Sequence, residues 1–399
     1  MKSILYRALV IGATLTAAAP ADAGVPVLPG SNNLNLKQKL GQELFFDTNL
    51  SEPAGQSCAT CHSPAKAFTD PNKSQPTSKG VIRGLNGNRN TPTAMYAAYA
   101  PSFYYDRKAG LYIGGQFLDG RAATLADQAK GPFLNPIEMA NPNAATVVKK
   151  VRKARYASLF NRVYGSGALN NTSQAYNRIA DAIAAYERSP VFNRFTSKYD
   201  FYLFGKAKFT AQERRGLTLF EASNKGNCAA CHSNRPVNRR TPPLFTDHSY
   251  DNLGVPKNPE NPFYAMPEEF NPDGAYFVDL GLGGSIDKPN EDGKFRVPTL
   301  RNIAVTSPYM HNGYFKTLRG VVEFYSNRDL KRRCRNSLTT EANARKQNCW
   351  PVAEVLDNVN HAELGSLRLT SREIDDLVAF LNTLTDGYKP NSPWAYSIP

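Results

Sequence analysis

Two stretches of the chain repeat one hydrophobic pattern. Leu36-Lys-Gln-Lys-Leu40-Gly41-Gln-Glu-Leu44-Phe45 places its apolar residues at helical spacing, and Thr210-Ala-Gln-Glu-Arg-Arg-Gly216-Leu-Thr-Leu219-Phe220 does the same. In both, a Gly precedes a Leu-Phe pair by the same offset. A mid-helix Gly costs up to about 1 kcal/mol relative to Ala, so the matched pair predicts two helices packed closely, backbone against a neighbour. Further helical patterns run over 122–130, 144–163, Thr172–Glu187, 318–325 and 371–383. The third puts Ile179, Ile183 and Tyr186 on one stripe behind a Thr or Ser cap, and the last does so with Ile374, Leu377 and Leu381. Residues 63–121 and 236–296 are rich in Gly, Pro and Asn and read as loops. No stretch sustains strand alternation. The expected fold class is all-α, with long connecting loops.

Each repeated helix leads, through a loop that is longer in the first copy, into Cys-x-x-Cys-His. Cys58-Ala-Thr-Cys61-His62 and Cys228-Ala-Ala-Cys231-His232 use four of the six Cys and two of the five His. Two thiols at this spacing can each add across one vinyl group of a haem, and the adjacent His then lies under the iron as the fixed ligand. A redox Cys-x-x-Cys would want a βαβ context, and zinc would need further Cys/His pairs at finger-like spacing; neither is present. A helix, a loop and this motif open a cytochrome c domain. Two covalent haem c groups are therefore expected, in a domain of residues 24–205 and another of 206–399.

Composition adds an address. With 41% hydrophobic and 21% charged residues, the 399-residue chain belongs to the ordinary globular class. Lys2 and Arg7, an apolar run from Ala8 to Ala19 and then Ala21-Asp22-Ala23 read as a signal peptide cleaved after Ala23. The run is too short to span a bilayer, so periplasmic export without a transmembrane anchor is expected. An oxidising compartment would let the leftover Cys334 and Cys349 form a disulfide. The formal charge of +14 would speed encounter with an acidic partner. Nucleic acid is not expected, since no recognised binding motif is present.

The order of the remaining motifs resembles the bacterial dihaem cytochrome c peroxidase superfamily, and within it the MauG-like branch, over nearly all of the mature chain. The landmarks are Leu50-Ser51, Cys58–His62, Arg89-Asn90-Thr91-Pro92-Thr93, Asp119-Gly120-Arg121-Ala122, Gln128, Pro132 and Glu138-Met139. The second half adds Cys228–His232, Val297-Pro-Thr-Leu-Arg-Asn302, Pro308-Tyr-Met-His311-Asn-Gly313 and Phe324-Tyr325. The resemblance implies that the N-terminal haem meets H₂O₂, with Glu138 and Gln128 over its open face and Pro132 shaping the pocket. Without it, Glu138 reads as a solvated Glu, Gln128 as a helix-surface amide and Pro132 as a turn. A partly desolvated carboxyl near iron can move the protons that peroxide cleavage requires. The resemblance also implies Tyr325 as sixth ligand of the second haem, where other members offer Met, with Met310 and His311 in reserve. Tyrosinate ligation lowers the potential and suits storage of an oxidising equivalent. Asn90, Thr306 and Pro308 fall where the family holds a Ca²⁺, whose preferred ligands are oxygens. His248 and His361 have no motif support and read as structural.

Two departures qualify the resemblance. Reductively activated members carry a His in the loop after the first haem motif; residues 63–117 here contain none. That absence implies a peroxide haem open without prior reduction. The family's Trp before Asp119-Gly120-Arg121 is replaced by Leu118, so transfer between the haems would use another residue or direct tunnelling. The implied function is an exported dihaem peroxidase fed by a small acidic cytochrome or cupredoxin. One alternative is oxidation of Trp or Tyr on a protein substrate, and another is electron transfer without catalysis.

Overall fold

Gly41 and Gly216 are the contact points of two helix crossings. In the computed structural model, which describes residues 33–390, a Cβ built on Gly41 would lie 1.9 Å from the carbonyl oxygen of Ala182. One built on Gly216 would lie 2.0 Å from that of Asp376. Only Gly permits helices this close, which is the packing the matched glycines predict.

The elements follow the chain in two series. The first comprises α1 (Leu36–Phe46), the haem-motif turn α2 (Cys58–Cys61), α3 (Leu125–Leu134), α4 (Ala144–Lys153), α5 (Ala157–Tyr164) and α6 (Thr172–Glu187). After α7 (Lys198–Leu203) come α8 (Ala211–Glu221), α9 (Gly281–Ile286), α10 (Leu318–Asn327), α11 (Glu341–Lys346) and α12 (Ser371–Asn382). Helix α1 crosses α6 and α8 crosses α12. Their apolar faces feed two separate cores. One includes Leu40, Leu44, Phe45, Phe68, Ile179 and Ile183; the other includes Phe220, Phe245, Phe324, Trp350, Leu377 and Phe380.

The all-α expectation needs correction. The described residues are helix-rich but include three two-stranded sheets. Strands β1 (Tyr104–Asp106) and β2 (Leu111–Ile113) form an antiparallel hairpin, and β3 (Tyr250–Asp251) pairs antiparallel with β4 (Phe295–Arg296). Strands β5 (Arg332–Arg333) and β6 (Cys349–Trp350) run parallel. Strands of two or three residues are too short for a period of two to register. The expected helix over 144–163 is also two helices. Between them Arg155 pairs with Glu43 and the Tyr156 hydroxyl donates to Asp47, both partners lying on or beside α1. This tertiary anchoring interrupts a continuous local pattern. Helix α7 opens on a capping box of Ser197 and Asp200, a local start signal in a segment without a clear apolar stripe.

Cys334 and Cys349 form the expected disulfide. No described helix is long and apolar enough to cross a membrane. The segment read as a signal peptide lies outside the described residues.

Candidate haem sites

Both haem-motif histidines are held alike. His62 Nδ1 donates to the carbonyl of Phe68 at 2.9 Å, and His232 Nδ1 donates to that of Phe245 at 3.0 Å. A carbonyl can only accept, so Nδ1 carries the proton and the Nε2 lone pair is left for a metal. Burial lowers the pKa of both rings, which keeps them neutral as ligation requires. The four motif thiols are free of disulfides, and burial raises their pKa values, to about 11 for Cys61 and about 12 for Cys228 and Cys231.

Behind each His stands a longer structural repeat. Phe68 and Phe245 both adopt the left-handed backbone, at φ 56° and 55°. The Thr93 and Thr299 hydroxyls donate to the carbonyls of Ala67 and Leu244, just before those Phe residues. Pro92 and Pro298 carbonyls lie beside the two imidazoles. Each unit ends at a left-handed residue, Tyr96 or Asn302, followed by a 3₁₀ turn. The sequence signal for this second repeat is Phe68-Thr69-Asp70 against Phe245-Thr246-Asp247, which unequal loop lengths obscure.

Around the first motif, Gln128 and Pro132 lie one turn apart on α3 and so share a face. Glu138 follows in a loop fixed by the Val81 N–H, which donates to its carbonyl, and by the approach of Gly80 to Ile137. Its carboxyl pKa is raised by burial, against the opposing effects of Arg121 and a hydrogen bond from Asn135. The Glu138 carboxylate adds a small Coulombic rise to the pKa of both Cys58 and Cys61. A second carboxyl, which carries no sequence motif, joins it. Glu187, at the end of α6, is buried, raises the pKa of Cys58, and has an Oε2 without a hydrogen-bond partner. Burial pushes its own pKa up to about 8. Gln56 bonds Cys61 Sγ through Nε2 at 3.2 Å, and its buried Oε1 is likewise unpartnered.

The second motif opens into a cavity of about 260 Å³ between the two series of elements. Cys228, Cys231 and His232 form part of its wall. Opposite, α10 presents Leu318, Val321, Val322 and Tyr325, a single stripe at helical spacing. Tyr325 is thus brought to the cavity, where burial and then the Cys231 and Cys228 sulfurs raise its hydroxyl pKa. Met310 and His311 also line the cavity, His311 stacked on Phe295 at 3.9 Å and bonded to Glu354 at 3.3 Å. Asn90, Thr306 and Pro308 also line the cavity. So does Leu118, whose carbonyl accepts from the Arg296 N–H. His361 bonds Arg328 and Asp329 away from this wall, as a structural residue would. His248 does not fit its structural reading, for it lines the cavity with a buried, unpartnered Nε2.

Paired thiols and a neutral His with its free lone pair fit a covalently bound haem at each motif, and the second adds an apolar cavity wall with an unsatisfied polar atom on it. Comparisons with known proteins agree. The family described as di-haem cytochrome c peroxidase matches residues 35–208. The methylamine utilization protein MauG of Paracoccus denitrificans is 43% identical over 359 residues, covering 88% of this chain and 89% of that protein. Cytochrome c551 peroxidase of Nitrosomonas europaea is 31% identical over 335 residues, covering 83% and 85%. The crystal structure of the dihaem peroxidase BthA from Burkholderia thailandensis superposes with a TM-score of 0.73 at 32% identity, covering 94% of this chain and 92% of that one. The chain belongs to the MauG-like dihaem cytochrome c peroxidase family, and is a peroxidase-type oxidoreductase carrying two c-type haems.

Proposed function

We propose that the two haems divide the work, with peroxide reacting at the His62 haem and electrons passing through the His232 haem. In this reading, residues 24–205 and 206–399 are two cytochrome c-like domains. The paired helix crossings and the two separate cores support that division. Cys58 and Cys61 hold the first haem and Cys228 and Cys231 the second; His62 and His232 are their fixed ligands.

Held by Cys58, Cys61 and His62, the first haem would supply the iron at which H₂O₂ is cleaved. Glu138 takes the proton from the near oxygen of the peroxide and returns one to the leaving oxygen, and its raised pKa suits both steps. Gln128 orients the peroxide through its amide, and Pro132, on the same face, keeps the pocket shaped and partly dry. The observation that carries the reading is the desolvated Glu138 carboxyl, whose charge acts on Cys58 and Cys61, together with the absence of any His in residues 63–117. Tyr325, on the wall of the second cavity, would hold the iron of the second haem together with His232. Asn90, Thr306 and Pro308 hold a Ca²⁺ through side-chain and backbone oxygens.

Export to the periplasm after cleavage at Ala23 would supply the oxidising compartment in which the Cys334–Cys349 disulfide forms. The basic surface would draw an acidic cytochrome or cupredoxin as electron source. Oxidation of Trp or Tyr on a protein substrate is the second reading, favoured by the 43% identity to MauG.

Absorption and electron paramagnetic resonance spectra of the resting oxidised holoprotein, with and without H₂O₂, test the division. One high-spin and one low-spin iron, reacting without prior reduction, are expected. Two low-spin irons that need one-electron reduction before they meet peroxide would overturn it.

A further inference from the structure

The wall of the second haem cavity contains a guanidinium that lacks a counter-ion. Arg296 is the only Lys or Arg among the residues lining the cavity. Its Nε donates to the Phe117 carbonyl at 3.3 Å and its Nη1 to His248 Nδ1 at 3.1 Å. Among the described residues no carboxylate pairs with it. The carboxylates on the same wall are otherwise engaged. Asp279 pairs with Arg89, Glu354 with His311, and Asn360 donates to both Asp251 and Glu363. Burial lowers the pKa of Arg296, as expected of a cation with too little opposite charge around it.

His248 adds a second unmet demand. A guanidinium has no acceptor, so Nδ1 of His248 accepts and its proton resides on Nε2. That Nε2–H is buried without a partner. Burial, and then Arg296, push the ring pKa down to about 3, so the imidazole stays a neutral donor. The placement is held by the backbone. His248 adopts the left-handed region at φ 59°, and its carbonyl accepts from Gly114 N–H at 3.0 Å. The cavity wall thus carries a cation with no carboxylate partner next to a buried N–H with no acceptor, an arrangement that is costly unless an anion completes it.

The haem attached at the second motif brings such an anion, since its two propionate carboxylates are the strong acceptors on an otherwise apolar edge. We propose that Arg296 and His248 form a cradle for a propionate of the haem bound at Cys228 and Cys231. The proposal rests on the reading of that motif as a haem site. The cradle would also join the two parts of the protein. Arg296 binds the carbonyls of Phe117 and Leu118 as well, so the haem edge would be tied to the segment that ends the N-terminal loop region. By offsetting the propionate charge, the guanidinium would favour the reduced iron and raise the potential of this haem. Both are positioning residues; neither reaches the reacting atoms.

The test uses the mature holoprotein and the variants Arg296→Gln, His248→Leu and His248→Gln. Peptide mass mapping first establishes haem at each motif. Spectroelectrochemistry then gives the midpoint potential of each haem, and resonance Raman the propionate bending bands. Arg296→Gln and His248→Leu should shift the His232 haem to more negative potential and move its propionate band, leaving the His62 haem unchanged. His248→Gln, which keeps an N–H donor, should retain most of the wild-type band. Wild-type potentials and bands in both disruptive variants, or a shift confined to the His62 haem, would overturn the proposal. If the variants do not mature, a crystal structure of the wild-type holoprotein decides. A propionate oxygen within hydrogen-bond reach of Arg296 and of His248 Nε2 supports the cradle, and propionates placed elsewhere refute it. Absence of haem from Cys228 and Cys231 would remove the underlying reading and the proposal together, and the mass map separates that case from the others.

Discussion

Replacing Gly41 by Ala should destabilise the N-terminal core, and the structure sets the scale. The added Cβ would lie 1.9 Å from the Ala182 carbonyl oxygen, 2.7 Å from its carbon and 2.8 Å from Tyr186 Cβ. Ordinary contacts between such atoms lie at about 3.5 Å, so α1 and α6 would have to separate by roughly 1 Å or more. The obstacle is backbone and cannot turn aside as a side chain would. Separation would also loosen the contacts of Leu40, Leu44 and Phe45, all buried in this crossing. Overpacking a core costs about 1–3 kcal/mol, and the rigid partner places this case at the upper end. Ala returns up to about 1 kcal/mol of helix propensity, leaving a net loss of about 2 kcal/mol. The backbone of Gly41 is outside the left-handed region, so no conformational strain contributes. For a domain of this size, that predicts a melting temperature lower by roughly 4–8 °C. Guanidinium and thermal melts of the holoprotein, followed by circular dichroism and by the haem bands, provide the assay. Gly216→Ala should lose a similar amount in the other core, where Asp376 O lies 2.0 Å from the built Cβ. Variants as stable as wild type, or more so, would refute the close crossings.

Other expectations follow from single groups. Glu138→Gln should retain both haems and the fold but slow peroxide consumption by about 10²–10⁴-fold in stopped-flow traces; an unchanged rate removes it from proton transfer. Glu187 has a folded pKa of about 8 against 4.5 for the free side chain. Because the folded state holds this proton more tightly, stability should fall as pH rises from the lower value to the higher and level off above it. The loss is roughly 3 kcal/mol between pH 5 and 7.5 by denaturant titration, and Glu187→Gln should flatten it; equal slopes in the two proteins would count against the assignment. Tyr325→Phe should change the absorption spectrum of the second haem alone, and a spectrum identical to wild type would exclude Tyr325 as ligand. Opening the Cys334–Cys349 link by Cys→Ser at both positions should cost about 3 kcal/mol on the chain-entropy estimate, read by the same denaturant melts.

The sequence alone was sufficient for what depends on local covalent chemistry and short-range periodicity. The two Cys-x-x-Cys-His motifs declare haem attachment because their spacing is itself the reactive geometry. The matched glycines declare close helix crossings because only a missing side chain permits them. Helix Thr172–Glu187 was legible at both ends because its cap and its apolar stripe lie within one segment. Folding decided the rest, by bringing together residues with no local relation. The break between α4 and α5 depends on Glu43 and Asp47, far upstream, so a continuous 144–163 pattern misled. The miniature sheets are too short to leave a periodic trace. Glu187 reads as one more helix-end carboxylate until burial beside Cys58 makes it a proton holder. His248 reads as an isolated histidine and Arg296 as a loop cation, because neither shows its missing partner in sequence. Their chemistry arises only where two distant stretches enclose one cavity, for burial and unmet hydrogen bonds are properties of the enclosed space and not of the residues that line it.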